Sequence, residues 1–366
     1  MSCLQIFPCK SVRNQSPDTS GIRGRGAQGN VKHRFQDQSI DYDNGVEECS
    51  NPETELRLET SSSIISRNSS PDVPFSQSIN PYRGCEHGCC YCYARATHAY
   101  LQLSPGLDFE TKIFAKQNAA ELLKHELLRP GYQCEIIALG NNTDAYQPVE
   151  RKLELTRQII ELLACCKHPF SIITKSSLIL RDIELLSELA KDQLIHVTIT
   201  LTSLDHVLSS KLEPRAASPT RRLQVIRRLS EADIPVSVLI APVIPSINDH
   251  ELEDILVQAK ECRAGSCNYI TLRLPHEVEE VFLDWLQLHY PLRADKVKNK
   301  LISMHKGATY RSEFGTRMRG SGEYAQLINS RFSLACKKLG FDQKFLPLRT
   351  DLFQPHLLNA EQMNLF

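Results

Sequence analysis

Residues Asn80–Leu101 read N-P-Y-R-G-C-E-H-G-C-C-Y-C-Y-A-R-A-T-H-A-Y-L, with Cys85, Cys89 and Cys92 at C-x3-C-x2-C spacing and Tyr91 just before the last thiol. Three thiols in one short loop meet only if the loop curls around a common centre on a firm support. Soft thiolates select iron–sulfur clusters or zinc over hard cations. A 4Fe–4S cubane normally takes four thiolates, one per iron, so three would leave one iron open. A Cys3His zinc site using His87 or His98 is the alternative, because close C-x2–4-C pairs are common there. No second C-x2-C or H-x3-H pair follows, which favours the cluster and leaves zinc in play.

From Val73 onward short apolar runs alternate with amphipathic stretches of about 10–15 residues, the pattern of parallel βα units. Strands are expected at Ser76–Tyr82, Cys134–Leu139, Phe170–Thr174, Ile195–Leu201, Val236–Ile240 and Tyr269–Leu274. Helices are expected at Gln117–Leu128, Val149–Ala164 and Ile183–Ala190, then from Ser218-Pro219 to Ala232 and from Asn248 to Cys262. Six such units make an α/β fold, a partial (β/α)6 TIM-type barrel. In a parallel barrel the reactive groups gather at the C-terminal ends of the strands. The cysteine loop follows the first strand and so meets that condition.

The flanks add to the spacing. N-P-Y-x-G-C-x-H-x-C-x-Y-C-Y-A-R, followed by a helical run to Tyr100, resembles the radical S-adenosylmethionine (radical SAM) superfamily. Within it the match is to the spore photoproduct lyase-like branch, which includes bacterial proteins of unassigned function. That resemblance implies a 4Fe–4S cluster on Cys85, Cys89 and Cys92, with SAM chelating the open iron. It implies an enzyme of lyase or oxidoreductase class that reductively cleaves SAM to a 5′-deoxyadenosyl radical and needs a flavodoxin- or ferredoxin-like electron donor. Cys90 stands where the pattern has a hydrophobic residue and is not expected to be a ligand.

The strand ends supply the other candidates. After the second strand, Gly140–Tyr146 is polar, and Asn142, Thr143 and Asp144 suit either an ammonium group or a tight turn. The resemblance implies SAM amino-group contacts there, from Asn142 and Asp144. Lys175 ends the third strand, where an ammonium is costly to desolvate unless it meets an anion; the branch has a lysine here, implying a contact to the SAM carboxylate. Thr200 on the fourth strand is matched likewise, although strand propensity alone explains threonines there. Ala241-Pro242-Val243-Ile244-Pro245 could lie along an adenine, with Tyr91 stacking from the other side. Glu213 and Arg215 read as a loop ion pair. The lyase uses a cysteine beside its second-strand loop, where this chain has Asn141-Asn142; this departure argues against direct reversal of a thymine-dimer lesion.

Residues 1–72 are polar, without hydrophobic periodicity, and are expected to be mostly a disordered tail. Within them Gly21–Phe35 interleaves Arg23, Arg25, Lys32 and Arg34 with glycines. It reads as a solvated basic tail or as a segment that tracks a phosphate backbone, and the family resembled carries a related element here that implies docking on the core. The core barrel is expected over 73–290. A mainly helical, basic extension over 291–366 has thirteen basic residues against four acidic ones between Arg293 and Arg349, around Phe314–Gly322. Phosphate binding and a solvated face are both open there, so DNA or RNA is a candidate partner. Overall Lys+Arg and Asp+Glu balance at 43 each, so any such footprint is local. Thirteen scattered cysteines and the metal motif argue for a reducing compartment. No stretch nears the roughly 18 apolar residues that span a bilayer. A cytoplasmic, soluble monomer is expected.

Overall fold

The computed structural model describes residues 22–36, 53–341 and 346–359. Ten strands form: β1 (Glu55–Glu59), β2 (Ile65–Arg67), β3 (Gln77–Ile79), β4 (Tyr82–Arg83), β5 (Lys112–Lys116), β6 (Ile137–Leu139), β7 (Phe170–Thr174), β8 (Ile195–Thr200), β9 (Val236–Val243) and β10 (Ser266–Thr271). Seven make the main sheet, in the order β10-β9-β8-β7-β6-β3-β2. The six from β3 to β10 are mutually parallel, and β2 adds antiparallel to β3 at the edge. Helices Ala119–Leu127, Leu155–Cys165, Ile183–Lys191, Pro219–Glu231 and Leu252–Glu261 fill the crossovers. This is the open parallel barrel that the alternating pattern calls for.

Period-two burial divides the strand residues. Phe170, Ile172, Ile195, Val197, Ile199, Val236 and Val238 are buried in one apolar cluster with Leu123, Ile159, Leu163, Leu189, Ile226 and Ile255 of the crossover helices. The intervening Ser171, His196, Thr198 and Ser237 are half-buried on the opposite face, toward the barrel interior. Ser218 caps the helix Pro219–Glu231 by accepting from Arg221 N, with the proline at its start, as the sequence predicts.

Three expectations need correction. The first strand does not run from Ser76 to Tyr82: β3 stops at Ile79, Pro81 cannot donate to a ladder, and β4 turns away to pair with β5 in a second sheet of order β1-β5-β4. The last strand lies earlier than expected, over Ser266–Thr271, which leaves Arg273 beyond the strand end. The tail is structured where it is described. Residues 53–72 contribute β1 and β2, and residues 22–36 pack on the cysteine loop; the rest of the 1–72 expectation lies outside the described residues.

The C-terminal extension contributes the helices Pro291–Met304 and Gly322–Leu339. Between them, the segment around Met318 runs beside β10, the Met318 carbonyl accepting from Thr271 N at 2.9 Å. Gly315 N donates to Asp72 Oδ1 at 2.7 Å, and Arg317 binds Asp72 Oδ2 and Ser70 Oγ, just beyond β2. The glycine-rich basic stretch therefore joins the two edges of the sheet. Among the described residues no helix is long and apolar enough to cross a membrane.

Candidate functional site

The cysteine loop begins at β4 and ends in the 3-10 helix Tyr93–Leu101. Cys85 and Cys89 are buried and Cys92 is half-exposed; none is in a disulfide. Backbone bonds fix the curl: Cys85 N to Phe109 O (2.9 Å), Cys90 N to Leu212 O (3.1 Å) and Cys92 N to Cys89 O (3.2 Å). Cys90 is fully buried, in an apolar cluster that includes Leu212 and Phe282.

Two fully buried arginine–carboxylate pairs hold this loop. Arg95 donates to Cys89 O at 2.8 Å, to the carbonyls of Pro105 and Gly106, and to Glu110. The Glu110 carboxylate also accepts Gly26 N (3.0 Å) and Ala27 N (2.8 Å) from the N-terminal segment. On the other side Tyr91 donates its hydroxyl to Glu213, which pairs with Arg222 and accepts from Thr202. Glu213 thus pairs with Arg222 rather than Arg215. The buried Tyr91 braces the loop through its hydroxyl. The pairs are 15 and 9 residues apart, spacings with no helical or strand register between the partners, so a single sequence does not mark them.

The strand-two loop is tied to the same place. Asn80 Oδ1 accepts Asn142 N (2.9 Å), and Asn80 Nδ2 donates to Asn141 Oδ1 (3.1 Å). The Asp144 carboxylate takes Thr174 Oγ1 (2.7 Å), Lys175 N (2.8 Å), Tyr146 N (2.9 Å) and His87 Nδ1 (3.3 Å). Burial disfavours its charge, but His87, Thr174 and the Lys175 amide outweigh that and hold it well below the usual carboxylate range. Its oxygens are therefore engaged within the protein, whereas the Asn142 amide makes no side-chain hydrogen bond among the described residues. Thr200 is buried at the end of β8, its carbonyl accepting from Arg222 at 3.1 Å.

The Lys175 ammonium sits 5.9 Å from the centre of the Tyr91 ring and has no carboxylate or hydrogen-bond partner among the described residues. Burial lowers its pKa, yet Cys89 and Glu213 outweigh it and keep Lys175 protonated. Burial also pushes the thiols of Cys85 and Cys89 up, so binding metal there means displacing protons. Among the described residues no three His, Cys, Asp or Glu side chains are set to hold one ion. A cluster does not ask for that, since each thiolate serves a different iron. Three unpaired soft donors on one loop, with an ammonium beside them that no carboxylate contacts among the described residues, fit a 4Fe–4S group with an anionic ligand.

Residues 79–259 match the family model of the Radical SAM superfamily. An uncharacterized protein of Mycobacterium tuberculosis is 38% identical over 60% of this chain and 65% of its own length. An uncharacterized protein of Methanocaldococcus jannaschii is 28% identical over 61% of this chain and 79% of its own. This chain therefore spans just under two thirds of the length of the mycobacterial relative. Among solved structures, a mutant of spore photoproduct lyase aligns with a TM-score of 0.56 at 14% identity, covering 78% of this chain and 80% of that one. The same enzyme complexed with a dinucleoside spore photoproduct aligns at 0.55 and 14%, over 78% and 79%. These two likenesses concern the fold.

Proposed function

Because the chain belongs to the radical SAM superfamily, we propose that it holds a 4Fe–4S cluster on Cys85, Cys89 and Cys92 and cleaves SAM reductively. The observation that carries this is the buried three-thiol loop, clamped from both sides at the C-terminal end of a parallel sheet. When bound, the cluster and SAM supply one-electron cleavage to a 5′-deoxyadenosyl radical able to abstract hydrogen. The chain's own residues bind and orient. Lys175 takes the SAM carboxylate, and the Asn142 amide faces its amino group. Asp144 positions His87 and the Lys175 backbone rather than touching SAM. Tyr91 and Glu213 brace the loop, and Thr200 lines the wall of the barrel. A flavodoxin- or ferredoxin-like donor supplies the electron, and the proposed location is the cytoplasm.

Nucleic acid is the proposed substrate class, supported by the shared fold with an enzyme complexed with a dinucleoside photoproduct. The basic extension supports it less than its composition suggests. Arg317 pairs with Asp72, Arg331 with Glu253, Lys306 and Arg311 with Glu313, and Arg349 with Asp351. The test is 5′-deoxyadenosine formation by the reduced, anaerobically reconstituted protein, with and without ultraviolet-irradiated DNA. Release without DNA and a rise with it are expected. No release under any condition contradicts the activity, and release indifferent to DNA and RNA turns the substrate toward a peptide or metabolite.

A further inference from the structure

Arg273 lies two residues beyond β10, at the C-terminal end of the last parallel strand. Its guanidinium carbon is 5.0 Å from the centre of the Tyr93 ring and 6.0 Å from that of Tyr310. Nη1 meets only the Met318 thioether, at 3.2 Å, a weak acceptor. Nη2 makes a long 3.5 Å contact to the Tyr310 hydroxyl, and the buried Nε–H has no partner. No carboxylate pairs with Arg273 among the described residues. Arg95 and Arg222, the fully buried arginines beside the thiol loop, each have one.

A buried donor left unmade costs roughly 1–3 kcal/mol, and more when charged, so a fold that keeps one gains nothing from it alone. A guanidinium fork matches an oxyanion edge-on, with two parallel N–H···O bonds. An oxyanion would replace the weak Met318 contact and the long Tyr310 contact that the two Nη atoms now make. The position is also adjacent to the proposed chemistry. Tyr93 follows Cys92 directly, and its hydroxyl, which donates to the Asn141 carbonyl, lies within the field of Cys92, Arg273 and Lys175. Two cations without carboxylate partners therefore flank the thiol loop, Lys175 acting on Cys89 and Arg273 beside Tyr93. On the reading above, on which this inference rests, the SAM carboxylate answers Lys175. One cation is left over.

We infer that Arg273 binds a phosphate group of the substrate, anchoring it over the Cys92 side of the loop. The oxyanion has one competing source, the carboxylate of SAM, and binding measurements separate the two. Reconstituted wild-type protein, Arg273→Gln and Arg273→Lys are titrated by equilibrium dialysis with thymidine 5′-monophosphate, thymidine and SAM, and iron is counted in each. The wild type should hold the monophosphate about tenfold more tightly than thymidine, as one charge-assisted hydrogen-bond pair provides. Arg273→Gln should lose that margin while iron content and SAM affinity stay unchanged, and Arg273→Lys should restore part of it. The inference is overturned if Arg273→Gln weakens SAM instead, if monophosphate binding ignores the substitution, or if wild-type protein that binds SAM binds no monophosphate. Wild-type protein that takes up neither iron nor SAM removes the radical SAM reading itself, and this assignment with it.

Discussion

A methyl group on Gly26 would lie 1.8 Å from the Gly88 carbonyl oxygen and 3.0 Å from Cys90 N, inside the cysteine loop. One carbon there must push the N-terminal segment off the loop or bend the loop, at about 1–3 kcal/mol for overpacking. Gly29, on the same segment, has open space at the equivalent position. Gly26→Ala should therefore lower the iron retained through gel filtration while Gly29→Ala leaves it unchanged; equal iron in both would show that the contact does not support the loop. His168 makes a different kind of prediction. It is fully buried, and burial pulls its pKa down to about 4 from 6.5. Its folded pKa lies below its unfolded one, so its contribution is intact above pH 6.5 and is lost as pH falls from there to about 4. The loss is roughly 3 kcal/mol by linkage. Urea unfolding of wild type and His168→Gln across that range should show the wild type losing its lead; parallel curves would contradict the assignment.

The elements divide into those legible in the sequence and those that were not. The six parallel strands and their helices follow from alternating apolar runs, because each strand buries one face on its own crossover helices. The three thiols were legible for the same local reason. What single-sequence reasoning missed was set by distant partners. Residues 53–72 carry too few apolar side chains to announce strands, yet β1 pairs along its whole length with β5 in parallel register. Of the readings open for Gly21–Phe35, docking on the core is the one its described part follows: Arg34 is spent on Glu277 and the backbone at Gly26 and Ala27 on Glu110. Phe314–Gly322, open in the sequence to phosphate binding or a solvated face, joins the sheet edges through contacts to Asp72 and Thr271. Asp72→Ala should strip the 313–319 stretch of its anchor, at about 2 kcal/mol for hydrogen bonds to a charged group. Amide exchange should quicken in that stretch and at Thr271, and stay unchanged in β7 and β8; uniform exchange throughout would remove the seam from the account.

At the scale of the molecule, three parts of the chain converge on one loop. The N-terminal segment bonds it through Glu110, the segments that follow the middle strands supply Asp144, Glu213 and Arg222, and the C-terminal extension closes the sheet whose mouth it occupies. Five cations of the basic extension pair with carboxylates nearby, whereas Lys175 and Arg273, which have no carboxylate partner among the described residues, stand beside the thiols. The central claim is that Cys85, Cys89 and Cys92 together, and no other cysteine, bind an iron–sulfur group. Iron and sulfide are measured per chain after anaerobic reconstitution of wild type, the three single Cys→Ala variants and Cys90→Ala. The account predicts about four of each in wild type and Cys90→Ala, and near-complete loss in the other three. Full iron in any of those three, or stoichiometric zinc in place of iron, would contradict it.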